Sequence, residues 1–223
     1  MSDRKASLDS TDVLRMVAAA AEELAAHEDD LSRLDAVAGD GDHGLNMRGA
    51  MARATDLAQA LDGATPSEVF DAVATAFFDG PGGASGALFG SFFRGIAGGI
   101  GTRTEVDAST LAQALAAGLS EVRRVGKAVV GDKTMLDALA PAVDAAVAAA
   151  RARSLPAQVL SAAAAAARAG AERSSELTAG AGRARYSGDR SMGSRDPGAS
   201  SAALILEAWA RAASPVKSLT DDP

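Results

Sequence analysis

The sequence of 223 residues contains no cysteine, only one tryptophan and only one tyrosine. Without cysteine the chain can form neither a disulfide framework nor a thiolate zinc site. Because few large side chains are present, the predicted interior is built from closely packed helices with slim side chains. The many alanines favour the same structure, since alanine is the best helix former. These features predict an all-α protein.

The sequence also lacks a long apolar run and an excess of basic residues. Residues 1–10 are polar with mixed charge, so neither an export signal nor a membrane span is predicted. The net charge of −7 disfavours a nucleic-acid partner and suits a protein that binds metal at concentrated acids. We expect a single domain over residues 1–223 in the cytoplasm, with loose termini at 1–10 and 214–223.

The densest group of chemically active side chains lies in residues 34–47. Asp35, Asp40 and Asp42 fall within eight residues, and the glycines between them let the backbone fold back so that the carboxylates converge. Mg²⁺ prefers carboxylate oxygens and can bind nucleotide phosphates at the same time. The segment therefore predicts a magnesium site, with a Gly/Asp-rich turn that carries no chemistry as the alternative.

Three known loop motifs match parts of the chain incompletely. Residues 39–44 fit G-x-G-x-x-G, but no buried strand precedes them, and their two aspartates would repel a pyrophosphate. An EF-hand counted from Asp40 would place Met51 where a bidentate glutamate is required. Residues 126–134 resemble a Walker A loop, but they are one residue too long and follow no strand. We therefore reject all three interpretations.

Helical periodicity predicts about eight helices with short connections, the last of them beginning at Asp196-Pro197. A glycine-rich break at residues 79–86 is either an anion-binding helix start or a tight turn between helices. The polar segment 174–198 has no periodicity and carries four arginines, among them Arg183 and Arg195. Irregular loops longer than about 15 residues are usually lids or disordered. The arginines predict a lid over phosphates.

Taken together, four segments resemble the nucleotide-binding L subunit of the dihydroxyacetone kinases. These are residues 34–44, 82–86, 131–139 and 182–199, and their order and spacing suit that family from about residue 13 to residue 213. Each motif alone is weak, whereas the ordered set is highly specific. The resemblance implies a closed barrel of eight antiparallel helices, with a nucleotide and two Mg²⁺ ions at one end.

The resemblance also implies which residues hold each part of the ligand. Asp35, Asp40 and Asp42 would be the metal ligands. Two departures from the family pattern, Ala87 for proline and Ser194 for histidine, bear on the lid and on substrate preference rather than on the metal. The residues implied to contact ADP or ATP are His43, Gly44, Leu45 and Asn46 in the nucleotide site, Ala84 and Ser85 at the phosphates, Gly126 and Met135 at the adenine, and Arg183, Asp196, Pro197 and Gly198 over the nucleotide.

By this resemblance the chain is expected to be the nucleotide-carrying subunit of a kinase that phosphorylates dihydroxyacetone or a similar small ketose. A histidine of a partner K subunit would capture the ketose, and this chain would add no catalytic residue beyond the Mg-nucleotide site. Two alternatives stay open: a kinase subunit for a four-carbon ketose, and a non-catalytic, nucleotide-loaded partner of a transcription regulator. The donor, free ATP or a phosphotransferase-system phosphoprotein (M subunit), and a homodimeric state stay open too.

Overall fold

The structure, a computed structural model, describes residues 5–80, 83–182, 184–185 and 191–214. Within these ranges the chain forms two short strands, nine α-helices and one 3₁₀ turn at Ser174–Glu176. In chain order the elements are β1 (Ser7–Leu8), α1 (Ser10–Ala26), α2 (Glu28–Ala36), α3 (His43–Gln59), α4 (Pro66–Phe78), α5 (Ala84–Ile100), β2 (Val106–Asp107), α6 (Ala108–Gly126), α7 (Leu136–Arg151), α8 (Pro156–Arg173) and α9 (Pro197–Ala213).

Eight of the helices form a closed ring. Helices α1 and α3 to α9 each pack against the next, and α9 returns to α1. Because short connections join most successive helices, neighbours in the ring run antiparallel. The short helix α2 is an addition that packs against α3 and α9. The predicted all-α class and the eight-helix closed barrel are confirmed, with α2 as a ninth helix.

The few aromatic side chains are concentrated inside the ring. Phe70 and Phe93 pack against Trp209, with ring centroids 5.4 and 6.0 Å from the indole. All three side chains are fully buried in one hydrophobic cluster that all nine helices share. Alanines make up much of the rest of this cluster. A small number of large rings therefore fills the centre, while slim residues let the helices approach.

Helices α5 and α6 approach each other through glycines. A methyl group added to Gly95 would lie 2.6 Å from the Cα atom of Gly118. One added to Gly118 would lie 2.8 Å from the ring and backbone of Phe92. Backbone atoms cannot move aside as a flexible side chain can, so either methyl group would push the two helices apart. The spacing of α5 and α6 thus depends on glycine at both positions.

We expect Gly95→Ala to lower the free energy of unfolding by ~2 kcal/mol, since overpacking a close contact costs roughly 1–3 kcal/mol. Gly98→Ala is the matched control on the exposed side of the same helix, where an added methyl meets no atom within 4 Å. That variant should gain ~0.5–1 kcal/mol from helix propensity. Urea unfolding measures both. Equal stabilities of the two variants would contradict the packing argument.

The beginning of the chain is more ordered than the loose segment predicted for residues 1–10. Ser7–Leu8 pairs in antiparallel fashion with Val106–Asp107, and Leu8 is buried. Asp9 caps α1 by accepting a hydrogen bond of 2.9 Å from the Asp12 N–H, and the Asp12 carboxylate accepts in return from the Asp9 N–H. The prediction is therefore wrong for residues 7–10, because strand pairing and a capping box hold them.

Of the tail predicted for residues 214–223, only Ser214 belongs to the described part of the chain. Among the described residues, no helix has both the length and the apolar character needed to cross a bilayer.

Candidate functional site

Alternating helix directions bring the starts of α3, α5, α7 and α9 to one end of the ring, where they surround a cleft. The cleft is lined by residues from four segments, 34–46, 83–89, 133–135 and 181–198. Each of them overlaps one of the four segments 34–44, 82–86, 131–139 and 182–199 that stand out in the sequence. Helix starts present unpaired N–H groups and a positive partial charge, so this end of the ring favours anionic ligands.

Most of the predicted site residues lie on the cleft wall. Three of them, Gly44, Leu45 and Gly126, do not, and Arg183 is outside the described residues. The roles of the lining residues toward a ligand stay predictions. The predicted residues that line the cleft are Asp35, Asp40, Asp42, His43, Asn46, Ala84, Ser85, Met135, Asp196, Pro197 and Gly198.

The three exceptions have separate structural explanations. Gly44 faces α2, where an added methyl group would overlap the carbonyl oxygen of Glu28. Leu45 points to solvent and is 50% exposed. Gly126 ends α6, and a methyl group there would lie 3.0 Å from Leu88, which lines the cleft. Gly44 and Gly126 thus allow close packing behind the cleft wall, whereas Leu45 takes no part in the wall.

The three aspartates of the acidic loop converge in space. Asp35 lies near the end of α2, and Asp40 and Asp42 lie in the loop that leads into α3. Each offers one carboxylate oxygen, and the three oxygens lie within 4.8 Å of one another. Two ligands of one Mg²⁺ at ~2.1 Å can be up to ~4.2 Å apart, so a slight closure suffices to bind an ion. Hard carboxylate oxygens suit Mg²⁺ rather than a soft metal.

Asp35 is held in place by the loop that it faces. Its Oδ2 accepts hydrogen bonds from the N–H groups of Gly41, at 2.9 Å, and Asp42, at 3.2 Å. A methyl group on Gly39 would overlap Asp35 Oδ1, so glycine is required for this fold-back. Burial raises the pKa of the Asp35 carboxyl, the N–H donors oppose that rise, and the Asp40 charge adds to it. A bound cation would offset the cost of keeping Asp35 ionised.

Asp42 occupies the N-cap position of α3, yet its side chain makes no capping hydrogen bond. An N-cap aspartate normally accepts from an N–H group in the first turn, as Asp196 does at α9 from Ala199 at 2.7 Å. The Asp42 carboxylate lies instead beside two other carboxylates. Losing a cap and approaching like charges are both unfavourable without a cation. This arrangement favours a cation site over a turn that carries no chemistry.

His43 connects the starts of three helices. It is the first residue of α3, and its Nδ1 lies 3.2 Å from Ser85 Oγ on α5. Its Nε2 lies 2.7 Å from Ser201 Oγ on α9. Burial lowers the pKa of the imidazole to about 4, so His43 is neutral at pH 7. It therefore acts as a neutral hydrogen-bonding link within the cleft wall.

Lys133 is a residue of the site that the sequence analysis missed. Its side chain is buried, and the ammonium donates to the carbonyl oxygens of Ser174 at 2.7 Å, Leu177 at 3.1 Å and Ser194 at 2.6 Å. These bonds fasten both flanks of the segment predicted as a lid to the start of α7. The acceptors follow Lys133 by 41 to 61 positions, so no local signal in the sequence could have identified them.

Two carboxyl groups accompany this buried ammonium. Asp137 accepts hydrogen bonds from the N–H groups of Gly131, at 2.6 Å, and Thr134, at 2.8 Å. Although part of Asp196 is accessible from the cleft, burial of its carboxyl raises the pKa to about 7. The Asp137 charge adds to that rise, whereas the Ala199 N–H bond and the Lys133 ammonium oppose it. Burial in turn lowers the pKa of Lys133.

We expect Asp196→Asn to change how stability depends on pH. The folded chain keeps the Asp196 proton up to about pH 7, whereas the unfolded chain releases it near pH 4. The stability from this group is therefore complete below about pH 4 and is lost as the pH rises to about 7. Asparagine caps a helix well and does not titrate. Relative to the parent, the variant should gain up to ~4 kcal/mol between pH 4 and pH 8, measured by urea unfolding.

The variant has to be compared with the parent because the stability of the parent also depends on pH through His43. The lowered pKa of His43 contributes to the free energy of unfolding with the opposite pH dependence: this contribution is complete above about pH 6.5 and is lost as the pH falls to about 4. The two contributions partly cancel in the parent protein. As a control, Asp62→Asn replaces a carboxyl group in an exposed turn. A stability difference between Asp196→Asn and the parent that does not change with pH would rule out the raised pKa of Asp196.

Comparisons with known proteins agree on one family for this chain. A family model described as DAK2 domain matches residues 37–211. The chain is 40% identical over 187 residues, or 82% of its length, to an L-erythrulose 1-kinase of Mycolicibacterium smegmatis, and it covers 32% of that protein. It is 37% identical over 107 residues, 48% of the chain, to the ADP-binding subunit DhaL of a PTS-dependent dihydroxyacetone kinase of Lactococcus lactis, of which the match covers 53%.

A solved structure shares the fold. The dihydroxyacetone kinase from C. freundii in complex with AMP-PNP and Mg²⁺ superposes with a TM-score of 0.70 and is 28% identical. The superposition covers 94% of this chain and 35% of that kinase chain. The chain thus spans about a third of the erythrulose kinase and of the C. freundii kinase, and the match spans about half of DhaL.

Proposed function

Because this chain belongs to the DAK2-domain family, we propose that it is the nucleotide-binding subunit of a kinase and holds ADP or ATP with two Mg²⁺ ions in the cleft. The observation that carries the proposal is the convergence of Asp35, Asp40 and Asp42 within 4.8 Å on the wall of a cleft where four helices begin. When bound, Mg²⁺ neutralises phosphate charge and stabilises the group in transfer. The ADP-binding subunit among the relatives supports this proposal.

Each wall of the cleft is proposed to hold one part of the nucleotide. The three aspartates hold the ions. At the start of α5, Gly83 offers no side chain as a cap, so the N–H groups of Ala84 and Ser85 are available to phosphate oxygens. Met135 and Leu88 supply apolar surface for the adenine. Arg183, together with the Asp196-Pro197-Gly198 turn, is proposed to lie over the nucleotide.

The proposed reaction is phosphoryl transfer to a hydroxyl of a small ketose, either dihydroxyacetone or a four-carbon ketose. Phosphoryl transfer depends mainly on positioning and on neutralising charge, which a Mg-nucleotide cleft provides. The relatives at 40% identity are D- and L-erythrulose kinases, and this similarity favours a four-carbon ketose as the second candidate substrate.

A partner K subunit is proposed to hold the ketose. The chain has only two histidines, and the resemblance to the dihydroxyacetone kinases implies that a histidine captures the ketose. His43 is bonded within the cleft wall, and His27 joins α1 to α2 with its Nδ1 at 2.9 Å from the Glu23 carbonyl oxygen. The His43 imidazole is hydrogen-bonded at both nitrogens, and His27 does not line the cleft. We therefore assign the capturing histidine to the partner subunit.

The test combines the purified chain, Mg-ATP and one ketose at a time, dihydroxyacetone, D-erythrulose or L-erythrulose, with and without a K subunit. We expect turnover at least ~1000-fold faster with the partner, because the chain alone cannot position a ketose. A parallel reaction with a phosphotransferase-system phosphoprotein in place of ATP identifies the donor. Fast turnover by the chain alone would refute the two-subunit proposal. Tight Mg-ADP binding without turnover in any combination would point to a regulatory role instead.

A further inference from the structure

Four groups from three helices form one hydrogen-bonded row. The row runs from Ser85 Oγ through the imidazole of His43 and Ser201 Oγ to the carbonyl oxygen of Pro197. The successive separations are 3.2, 2.7 and 3.0 Å. His43 is 4% exposed and Ser201 is 0% exposed, so solvent cannot supply alternative partners to the middle of the row. The row links the cleft wall at α5 to the first turn of α9.

The carbonyl oxygen at the end of the row fixes the direction of every bond. A carbonyl oxygen can only accept, and a serine hydroxyl has one hydrogen to donate. Ser201 gives that hydrogen to Pro197 and must therefore accept from His43 Nε2. A neutral imidazole carries a hydrogen on one nitrogen only, so Nδ1 is an acceptor. The hydrogen of the Ser85 hydroxyl consequently points to His43 and away from the cleft.

We propose that Ser201 is a positioning residue that holds His43 in the Nε2–H tautomer and thereby turns the oxygen lone pairs of Ser85 toward the cleft. With its hydrogen committed to His43, the Ser85 side chain can accept in the cleft but cannot donate. Phosphate oxygens can only accept hydrogen bonds, so they would bind to the N–H groups at the start of α5 and not to Ser85 Oγ. Ser85 Oγ then faces a donor carried by the ligand, such as a hydrated cation.

Removal of the Ser201 hydroxyl should reverse this arrangement. Without it, His43 Nε2–H loses its acceptor at 2.7 Å and keeps only a contact with the Pro197 carbonyl oxygen, which is unfavourable in a buried place. The other tautomer, with Nδ1–H donating to Ser85 Oγ, restores one bond. The Ser85 hydroxyl would then donate into the cleft rather than accept. The tautomer of His43 therefore reports directly on the role of Ser201.

Ser200 offers a matched control in the same helix turn. Like Ser201 it is buried, and its hydroxyl donates to the carbonyl four positions earlier, that of Asp196 at 2.8 Å. Its hydroxyl bonds Asp196 rather than His43. Ser200→Ala and Ser201→Ala remove the same atom from similar surroundings, so they share the structural cost of a lost hydroxyl. Only Ser201→Ala should change the imidazole.

Nitrogen-15 NMR of the full chain at pH 8 reads the tautomer, since protonated and bare ring nitrogens differ widely in chemical shift. His27 is the only other histidine, and its Nδ1 faces a carbonyl oxygen, so it provides a reference for the opposite tautomer. His27→Gln completes the assignment. We expect Nε2–H at His43 in the parent and in Ser200→Ala, and mainly Nδ1–H in Ser201→Ala. An unchanged tautomer in Ser201→Ala, or the same change in Ser200→Ala, would overturn the proposal.

The second readout is the affinity for Mg-ADP. Unlike the NMR readout, it depends on the proposed function. We expect affinity ~3–10-fold weaker in Ser201→Ala than in Ser200→Ala, since one hydrogen bond changes direction. Ser201→Thr, which keeps the hydroxyl, should restore both the tautomer and the affinity. If the tautomer changes while affinity does not, the orientation of Ser85 toward the ligand is refuted. If the parent itself does not bind Mg-ADP, the proposed function fails, and the NMR result alone decides on Ser201.

Discussion

Replacing Asp40 or Asp42 by asparagine should weaken the binding of Mg-ADP by at least ~100-fold while leaving the fold intact. Each change removes one anionic ligand from a site that would bind its cation with few carboxylates, a loss of ~3 kcal/mol or more. In the absence of Mg²⁺ the same change relieves repulsion among three carboxylates that lie within 4.8 Å. The variants should then unfold at the same or a higher temperature than the parent.

Titration calorimetry with Mg-ADP and thermal unfolding in EDTA measure the two effects separately. Asp62→Asn is the control, because Asp62 is exposed and does not line the cleft. It removes the same charge and should leave the affinity unchanged. Parent-like affinity in Asp40→Asn and Asp42→Asn would eliminate the metal assignment. A lower unfolding temperature in EDTA would show that the aspartates are structural.

Replacing Lys133 by methionine should lower the free energy of unfolding by ~3–5 kcal/mol. The change removes three hydrogen bonds from a charged donor to carbonyl oxygens that are buried or partly buried, which is costly. Within the described part of the chain, only the Ser174 carbonyl oxygen keeps a further donor, the Leu177 N–H at 3.2 Å. Lys127→Met is a closely matched control. Lys127 is exposed and has the same left-handed backbone, with φ of 56° against 59° for Lys133. It should change stability by less than ~0.5 kcal/mol.

Urea unfolding at pH 7 compares the two lysine variants. Equal losses, or a loss below ~1 kcal/mol for Lys133→Met, would mean that the buried ammonium does not hold the neighbouring segments. Where Lys133→Met is still folded, it should also bind Mg-ADP more weakly than Lys127→Met does. The reason is that one acceptor, Ser194, is separated by a single residue from the Asp196-Pro197-Gly198 turn on the cleft wall.

The acidic loop could be predicted from the sequence because its parts are neighbours in the chain. Asp35, Asp40 and Asp42 converge through a local fold-back, and glycine at position 39 is the local condition for it. The all-α class follows in the same way from composition and periodicity. Closure of the ring is different, since it depends on α9 packing against α1, and only the resemblance to a known family predicted it.

Residues 43–46 are predicted as one contact surface, and the structure places His43 and Asn46, but not Gly44 and Leu45, on the cleft wall. Successive residues of a helix point about 100° apart, so a run of four cannot face one cleft. His43 and Asn46, three positions apart, share the face that lines the cleft. Gly44 packs against α2, and Leu45 faces solvent. Helical geometry would have predicted this separation had the start of α3 been placed at His43.

Lys133 and Ser201 could not be found by any local pattern. The acceptors of Lys133 lie at least 41 positions away, and Ser201 meets an imidazole 158 positions before it. A lysine between two helices and a serine in an alanine-rich helix are each ordinary features of a surface. Their importance depends on which helices become neighbours in the closed ring, which is a tertiary property.

The pairing of Ser7–Leu8 with Val106–Asp107 has a practical consequence for measurements on this protein. That pairing lies next to the start of α6, at the end of the ring opposite the cleft. Helix α9 runs from the cleft to Ala213, and its 17 residues span ~25 Å. Both ends of the described chain therefore emerge far from the cleft. A dye, an affinity tag or a biosensor surface attached through either end would leave the cleft open to solution.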